Sequence, residues 1–204
     1  MSRTNVLPLL LAALVLAAAP GAQRRFGVQL QGGYAFPEEN KHQGGAETSF
    51  GAVIPIGGRM SLALEFMRWT VRSLGSPGKL YAGTIELSPV AATVRFEFLR
   101  NQFFFPYAFA GAALVFARFE MGPYISIPEV TIDQEIENGP APYLGIGARL
   151  ALTRNLSFTS EAAYLARTAR ARTIVRDMNF GTTVQELTAN LRTVFLKFGL
   201  QLWF

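Results

Sequence analysis

The chain has no cysteine among its 204 residues, which excludes a disulfide framework, a thiolate metal site and a lipid-modified N-terminal cysteine. Charge is sparse: 16% Asp, Glu, Lys and Arg against 50% hydrophobic residues, too apolar for disorder and thinly charged for a water-facing surface. Beyond the N-terminus no run reaches the roughly 18 consecutive apolar residues of a membrane helix. An apolar chain without spanning helices points to a closed β-barrel or a large buried β-core. The net charge of +5 is spread along the sequence, which excludes the concentrated basic patch of a nucleic-acid binder. There is no Gly-x-Ser-x-Gly elbow and no phosphate loop, so neither a catalytic serine of that type nor a cofactor or metal site is expected.

Residues 1–22 stand apart. Arg3 gives a positive start, residues 6–19 form an apolar run, and Ala19-Pro20-Gly21-Ala22 supplies small residues before Gln23, the pattern of a cleavable secretory signal peptide. Residues 23–204 then make one domain of ordinary size.

What fills that domain is alternation. Val194, Leu196, Phe198, Leu200, Leu202 and Phe204 share one parity, while Lys197, Gly199 and Gln201 share the other. Period two means a strand with one apolar face, and residues 194–204 match the roughly 9 to 11 that a tilted strand needs to cross hydrocarbon. Even-numbered apolar residues recur upstream, as Val28-x-Leu30, Phe50 to Ile56, Met60 to Phe66, Val90 to Phe98, Leu144 to Leu152 and Leu156 to Tyr164. Residues 103–119 are apolar on both parities, so their faces stay open. The pattern predicts eight strands. Their connections, 37–47, 57–58, 72–81, 99–102, 120–140, 153–155 and 167–186, run 11, 2, 10, 4, 21, 3 and 20 residues. Long and short alternate, as in an up-and-down antiparallel barrel whose long loops share one end; a sandwich has no reason to do this. Gly57-Gly58 reads as a two-residue hairpin in which glycine supplies positive φ.

The polar parity carries Glu65, Arg95, Glu97, Arg149, Glu161 and Lys197. An eight-stranded barrel has room only for side chains, so these six are expected to form an internal ion-pair network that plugs the lumen. His42, the only histidine, falls in the first long connection. Ser73 and Ser76 fall in the second, and no Asp completes a catalytic set there.

The terminal strand, with Phe198, Leu200, Leu202 and Phe204 in phase, resembles the C-terminal signature strand of Gram-negative outer-membrane β-barrels, which the barrel-assembly machinery reads. Pro106-Tyr107 to Gly111 and Pro142-Tyr143 to Gly147 open two strands. Together with the Leu156 to Tyr164 strand and Phe204, they resemble the small outer-membrane β-barrel family that includes the OmpA membrane domain, OmpX and OmpW. The resemblance spans residues 23–204. It implies an all-β, eight-stranded antiparallel transmembrane barrel in the bacterial outer membrane, non-catalytic, with a structural or surface-interaction role and a ligand taken through its loops. An OmpW-like conduit for small apolar solutes is the alternative, and a lipid-modifying enzyme using His42 a third. Arg68, Arg167, Arg170, Arg172, Arg176 and Arg192 then read as an outer rim for outer-membrane lipid and lipopolysaccharide phosphates, since guanidinium suits bidentate phosphate contact; pairing with the acids of residues 129–137 competes with that.

A closed membrane barrel makes a direct prediction. Unboiled protein extracted in detergent should migrate differently from boiled protein on a gel, whereas a processed chain freely soluble without detergent would overturn the barrel.

Overall fold

The chain is described by a computed structural model over residues 26–39, 42–74, 82–99, 103–121, 130–177 and 181–204; the expected signal peptide and Ser76 lie outside these. Regular structure among the described residues is entirely β. In chain order the strands are β1 (Gly27–Pro37), β2 (His42–Gln43), β3 (Gly45–Gly57), β4 (Met60–Leu74), β5 (Ala82–Leu87), β6 (Val90–Glu97), β7 (Phe104–Val115), β8 (Ala117–Met121), β9 (Val130–Ile136), β10 (Gly139–Ala151), β11 (Leu156–Leu165), β12 (Thr168–Asp177), β13 (Gly181–Asn190) and β14 (Thr193–Trp203).

Eight of them, β1, β3, β4, β6, β7, β10, β11 and β14, form a closed ring of antiparallel pairs. The cylinder shuts where β1 meets β14, with Gly27 opposite Trp203 and Pro37 opposite Thr193. At that seam Phe204 N donates to Phe26 O (2.9 Å) and their rings stack at 5.1 Å. Closure leaves no unpaired edge in hydrocarbon, where water cannot serve the backbone. The Gly57-Gly58 hairpin has φ of 137° and 56°, the left-handed region that glycine enters without steric cost. It shares one end of the barrel with the connection after β6, the turn after β10 and both described chain ends.

Throughout the ring even-numbered side chains face out and odd-numbered ones face in. Leu30, Phe50, Ile146 and Phe198 are among the outward apolar residues, and Leu30 is 67% exposed, an arrangement that suits hydrocarbon and not water. Aromatic pairs sit toward both ends, Tyr34 with Phe36 (4.7 Å) near the long connections and Phe96 with Phe98 (5.7 Å) near the short ones. Parity also settles β7: Tyr107, Phe109, Ala113 and Val115 are buried inside while Phe104 and Leu114 face out.

The wall rises further than its apolar pattern suggests. β4 runs to Leu74 and β3 starts at Gly45, so the expected loops 72–81 and 37–47 are partly strand, and β2 pairs with β4 across His42 and Ser73. The expected loops 120–140 and 167–186 are corrected more strongly: β9, β12 and β13 form a three-stranded sheet beyond the barrel, and β5 pairs with β8 beside it. The reason lies in Thr-Ala-Arg-Ala-Arg-Thr at 168–173. Above the membrane the outward parity turns to Arg, with Ala and Thr inward, so period two persists but hydrophobicity no longer marks it.

Inward glycines lie beside several of the long inward side chains. Gly33 pairs with Lys197 and with Glu47, Gly51 with Glu65, and Gly147 with Glu161 and Tyr107. Small beside large is how a narrow cylinder is filled without overlap. A Cβ on Gly33 would stand 2.9 Å from Lys197 Cα and closer still to the Leu196 carbonyl oxygen, whereas one on outward Gly32 meets nothing nearer than 3.8 Å. Gly33→Ala should therefore lose about 1–3 kcal/mol by overpacking in denaturant unfolding of the folded barrel, with Gly32→Ala close to wild type; equal effects would refute this packing account.

Candidate functional site

The interior has two layers, and the outward-and-inward parity of the strands builds both. Toward the short turns it is polar. Lys197 Nζ on β14 lies 2.5 Å from Glu65 Oε1 on β4 and 2.9 Å from Glu161 Oε2 on β11, and donates to Tyr143 Oη at 2.9 Å. Arg95 on β6 lies 3.1 Å from Glu161 Oε1 and donates to Gln29 Oε1 at 2.9 Å. Tyr107 Oη donates to Glu161 Oε1 at 2.6 Å, and Tyr143 Oη to Glu65 Oε2 at 3.4 Å. All these side chains are buried. Strands that are far apart in sequence are thus tied across the lumen by charge-assisted bonds, which are shorter and stronger than neutral ones.

Of the six inward charges, the structure joins Glu65, Arg95, Glu161 and Lys197 in this cluster. Glu97 and Arg149 make a separate pair at 2.9 Å near the short-turn mouth, with the Arg149 guanidinium 4.0 Å from the Phe105 ring centroid and 5.2 Å from that of Trp203. Sequence reasoning missed Tyr107 and Tyr143 as members of the cluster. They are the tyrosines of the two Pro-Tyr openings, and their odd numbers were the available signal.

Toward the long connections an apolar layer follows, with Ser73, Gln134, Arg167 and Thr173 buried beyond it. Met67, Trp69, Val71, Ile85, Leu87, Val115, Leu165 and Phe195 are all buried in that layer, with Trp69 edge-on to Phe195 at 4.7 Å. This layer was not foreseen. Between the two layers sits Glu47, also missed, because it lies on β3 in a stretch that reads as loop; it is 1% exposed.

The outward arginines are distributed differently from the expected rim. Arg68 lies 2.6 Å from Glu86, Arg172 3.3 Å from Glu186, Arg176 3.4 Å from Asp133 and Arg192 3.6 Å from Glu38, and Arg170 is exposed on β12. Arg167 is not on that rim. Its odd number turns it inward, where Nη1 donates to Pro140 O (3.1 Å) and Nη2 to Glu137 O. These bonds hold the kink at residues 137–138, where strand parity shifts: Gln134 and Ile136 face in before it and Ala141 and Tyr143 after it.

His42 lies opposite Ser73 in the β2–β4 pair, with Nε2 3.5 Å from Glu39 Oε2. The acid beside His42 is thus Glu39, three residues upstream. Ser73 is buried. Phe198, Leu200 and Leu202 face outward on β14, and Phe204, just after it, is exposed as well.

The polar cluster makes a quantitative prediction. Lys197→Met leaves Glu65 and Glu161 buried with one cation fewer, and removing one member of a buried pair costs about 3–5 kcal/mol. Denaturant unfolding should show a loss of that order, and Lys197→Met combined with Glu65→Gln should recover part of it; a single variant as stable as wild type would refute the cluster.

No protein-family model matches the sequence, and no curated protein is similar to it. Solved structures do match in fold. The outer membrane protein OprG from Pseudomonas aeruginosa aligns with a TM-score of 0.73 at 11% identity, over 89% of this chain and 96% of that one. A major outer membrane protein from Thermus thermophilus aligns with a TM-score of 0.63 at 12% identity, over 90% and 100%. Neisserial surface protein A aligns with a TM-score of 0.57 at 17% identity, over 88% and 97%. With its closed eight-strand ring and outward apolar belt, the chain has the fold of the small β-barrel proteins of the bacterial outer membrane.

Proposed function

We propose that the protein is a non-catalytic outer-membrane barrel with a plugged lumen, acting structurally or by surface interaction through the sheets that rise above its ring. One observation carries this reading: the interior is filled, with Lys197, Glu161, Trp69, Phe195 and Tyr143 all nearly inaccessible. An ion would have to displace a charge cluster and then an apolar layer, and neither replaces its hydration. The partners that go with this reading are outer-membrane lipid, lipopolysaccharide at the outward arginines, the barrel-assembly machinery acting on the terminal strand, and a surface ligand. Exposed ion pairs such as Arg172 with Glu186 are worth only about 0–1 kcal/mol, so exchange of the carboxylate for a phosphate costs little.

A second reading, a conduit for small apolar solutes, is favoured by the apolar layer itself. Side chains such as Met67 and Val71 are held by dispersion and make way for another apolar molecule more readily than for an ion. In planar bilayers the purified barrel should give no stepwise ion conductance, and discrete conductance steps would overturn the plugged lumen. Faster uptake of an apolar dye by expressing cells, with conductance still absent, would favour the conduit.

A further inference from the structure

Glu47 and Trp69 face each other inside the barrel as cross-strand partners on β3 and β4. Residues at such positions on one face have Cβ atoms roughly 4.5–5.5 Å apart. Both are 1% exposed; Nε1 of Trp69 has no hydrogen-bond partner, and the Glu47 carboxylate has no donor beyond the Ser49 hydroxyl beside it. The neighbouring groups are committed elsewhere. On the far side of Gly33 the Lys197 ammonium has three oxygens within 2.9 Å, as many as it has N–H bonds. Ser49 has a single hydroxyl proton, which goes either to Gln31 Oε1 at 3.5 Å or to the Glu47 carboxylate.

At least one acceptor and one donor are therefore left unmatched at one point, where the polar layer ends and the apolar layer begins. Burying such groups without partners is costly. The closed packing carries that cost, so a molecule that satisfies both groups while keeping apolar contact with Phe195, Met67 and Val71 favours an arrangement that admits it. A hydroxyl is the smallest group that does so, because its oxygen accepts from the indole N–H while its proton goes to the carboxylate. A primary ammonium cannot accept from Trp69, and a plain hydrocarbon serves neither group.

We infer that Glu47 and Trp69 form a recognition point for the hydroxyl of a small apolar alcohol whose hydrocarbon part packs in the apolar layer. The inference rests on the reading that this layer admits apolar solutes, and adds that the barrel selects among them.

The chain has two tryptophans, so Trp203→Phe leaves Trp69 as the only indole reporter in the folded, detergent-solubilised barrel. 1-Hexanol and hexane are titrated against Trp69 emission in this parent and in its Glu47→Met and Glu47→Gln derivatives, each checked for heat-modifiable migration. The ratio of parent to variant cancels partition into detergent. One hydrogen bond of ordinary net strength is about fivefold in affinity. The expected result is saturable binding of hexanol about fivefold or more tighter than hexane, a preference lost in Glu47→Met and kept in Glu47→Gln, whose amide still accepts a hydrogen bond. If both probes bind alike in the parent and Glu47→Met changes nothing, the recognition point is wrong while admission of apolar solutes stands. If neither probe perturbs Trp69, the apolar layer admits nothing and both readings fall. Should Glu47→Met not fold, equal binding of the two probes by parent and Glu47→Gln overturns the inference by itself.

Discussion

A closed ring of eight strands encloses little more than the side chains that fill it, and every second residue must point into it. That constraint organises this molecule. Inward residues cannot all be large, because opposing side chains would collide, and they cannot all be small, because a void in so thin a wall forfeits contacts. The chain resolves this by setting Gly33 beside Lys197, Gly51 beside Glu65, and Gly147 beside Glu161. Each long side chain then lies over a neighbour that has none, and its charged end reaches the axis.

Once the ends meet at the axis, their chemistry divides the lumen. The cations of Lys197 and Arg95 converge on Glu161, and Lys197 reaches Glu65 as well, so mutual attraction offsets the loss of hydration. Trp69 packs edge-on to Phe195, whose ring lies 6.5 Å from that of Tyr143 in this cluster, and an apolar neighbourhood of low dielectric strengthens the electrostatic interactions beside it. The polar layer ties distant strands together, and the apolar layer borders it. Glu47 is the inward acid that belongs to neither, since the ammonium that could serve it is surrounded by other oxygens.

Beyond the apolar belt the outward arginines, Arg68 on β4, Arg172 and Arg176 on β12 and Arg192 in the link before β14, are paired with nearby acids. Below the rim the outward residues are apolar and meet lipid; above it they are charged and meet water. One backbone pattern thus serves two solvents, and the change of residue type along a strand marks the level at which the membrane ends. Arg167 departs from its arginine neighbours because of parity: odd-numbered, it turns inward and supplies hydrogen bonds to the carbonyls exposed by the kink at 137–138.

Strand number, antiparallel order, the apolar outward face and the inward set Glu65, Arg95, Glu97, Arg149, Glu161 and Lys197 were all legible in the order of residues, because a side chain's face in a strand depends on parity alone. The height of the wall was not, since Arg alternating with Ala and Thr over 168–173 carries period two without hydrophobicity. Nor could parity say which inward residues meet. Partners on different strands are decided by register and by the stagger with which the cylinder closes, and those bring Tyr107 of one Pro-Tyr opening to Glu161 and Tyr143 of the other to Glu65. Local alternation determined which way each residue faces; closure of the sheet decided what it touches, because only a closed ring places residues more than a hundred positions apart, such as Glu65 and Lys197, within reach across the axis.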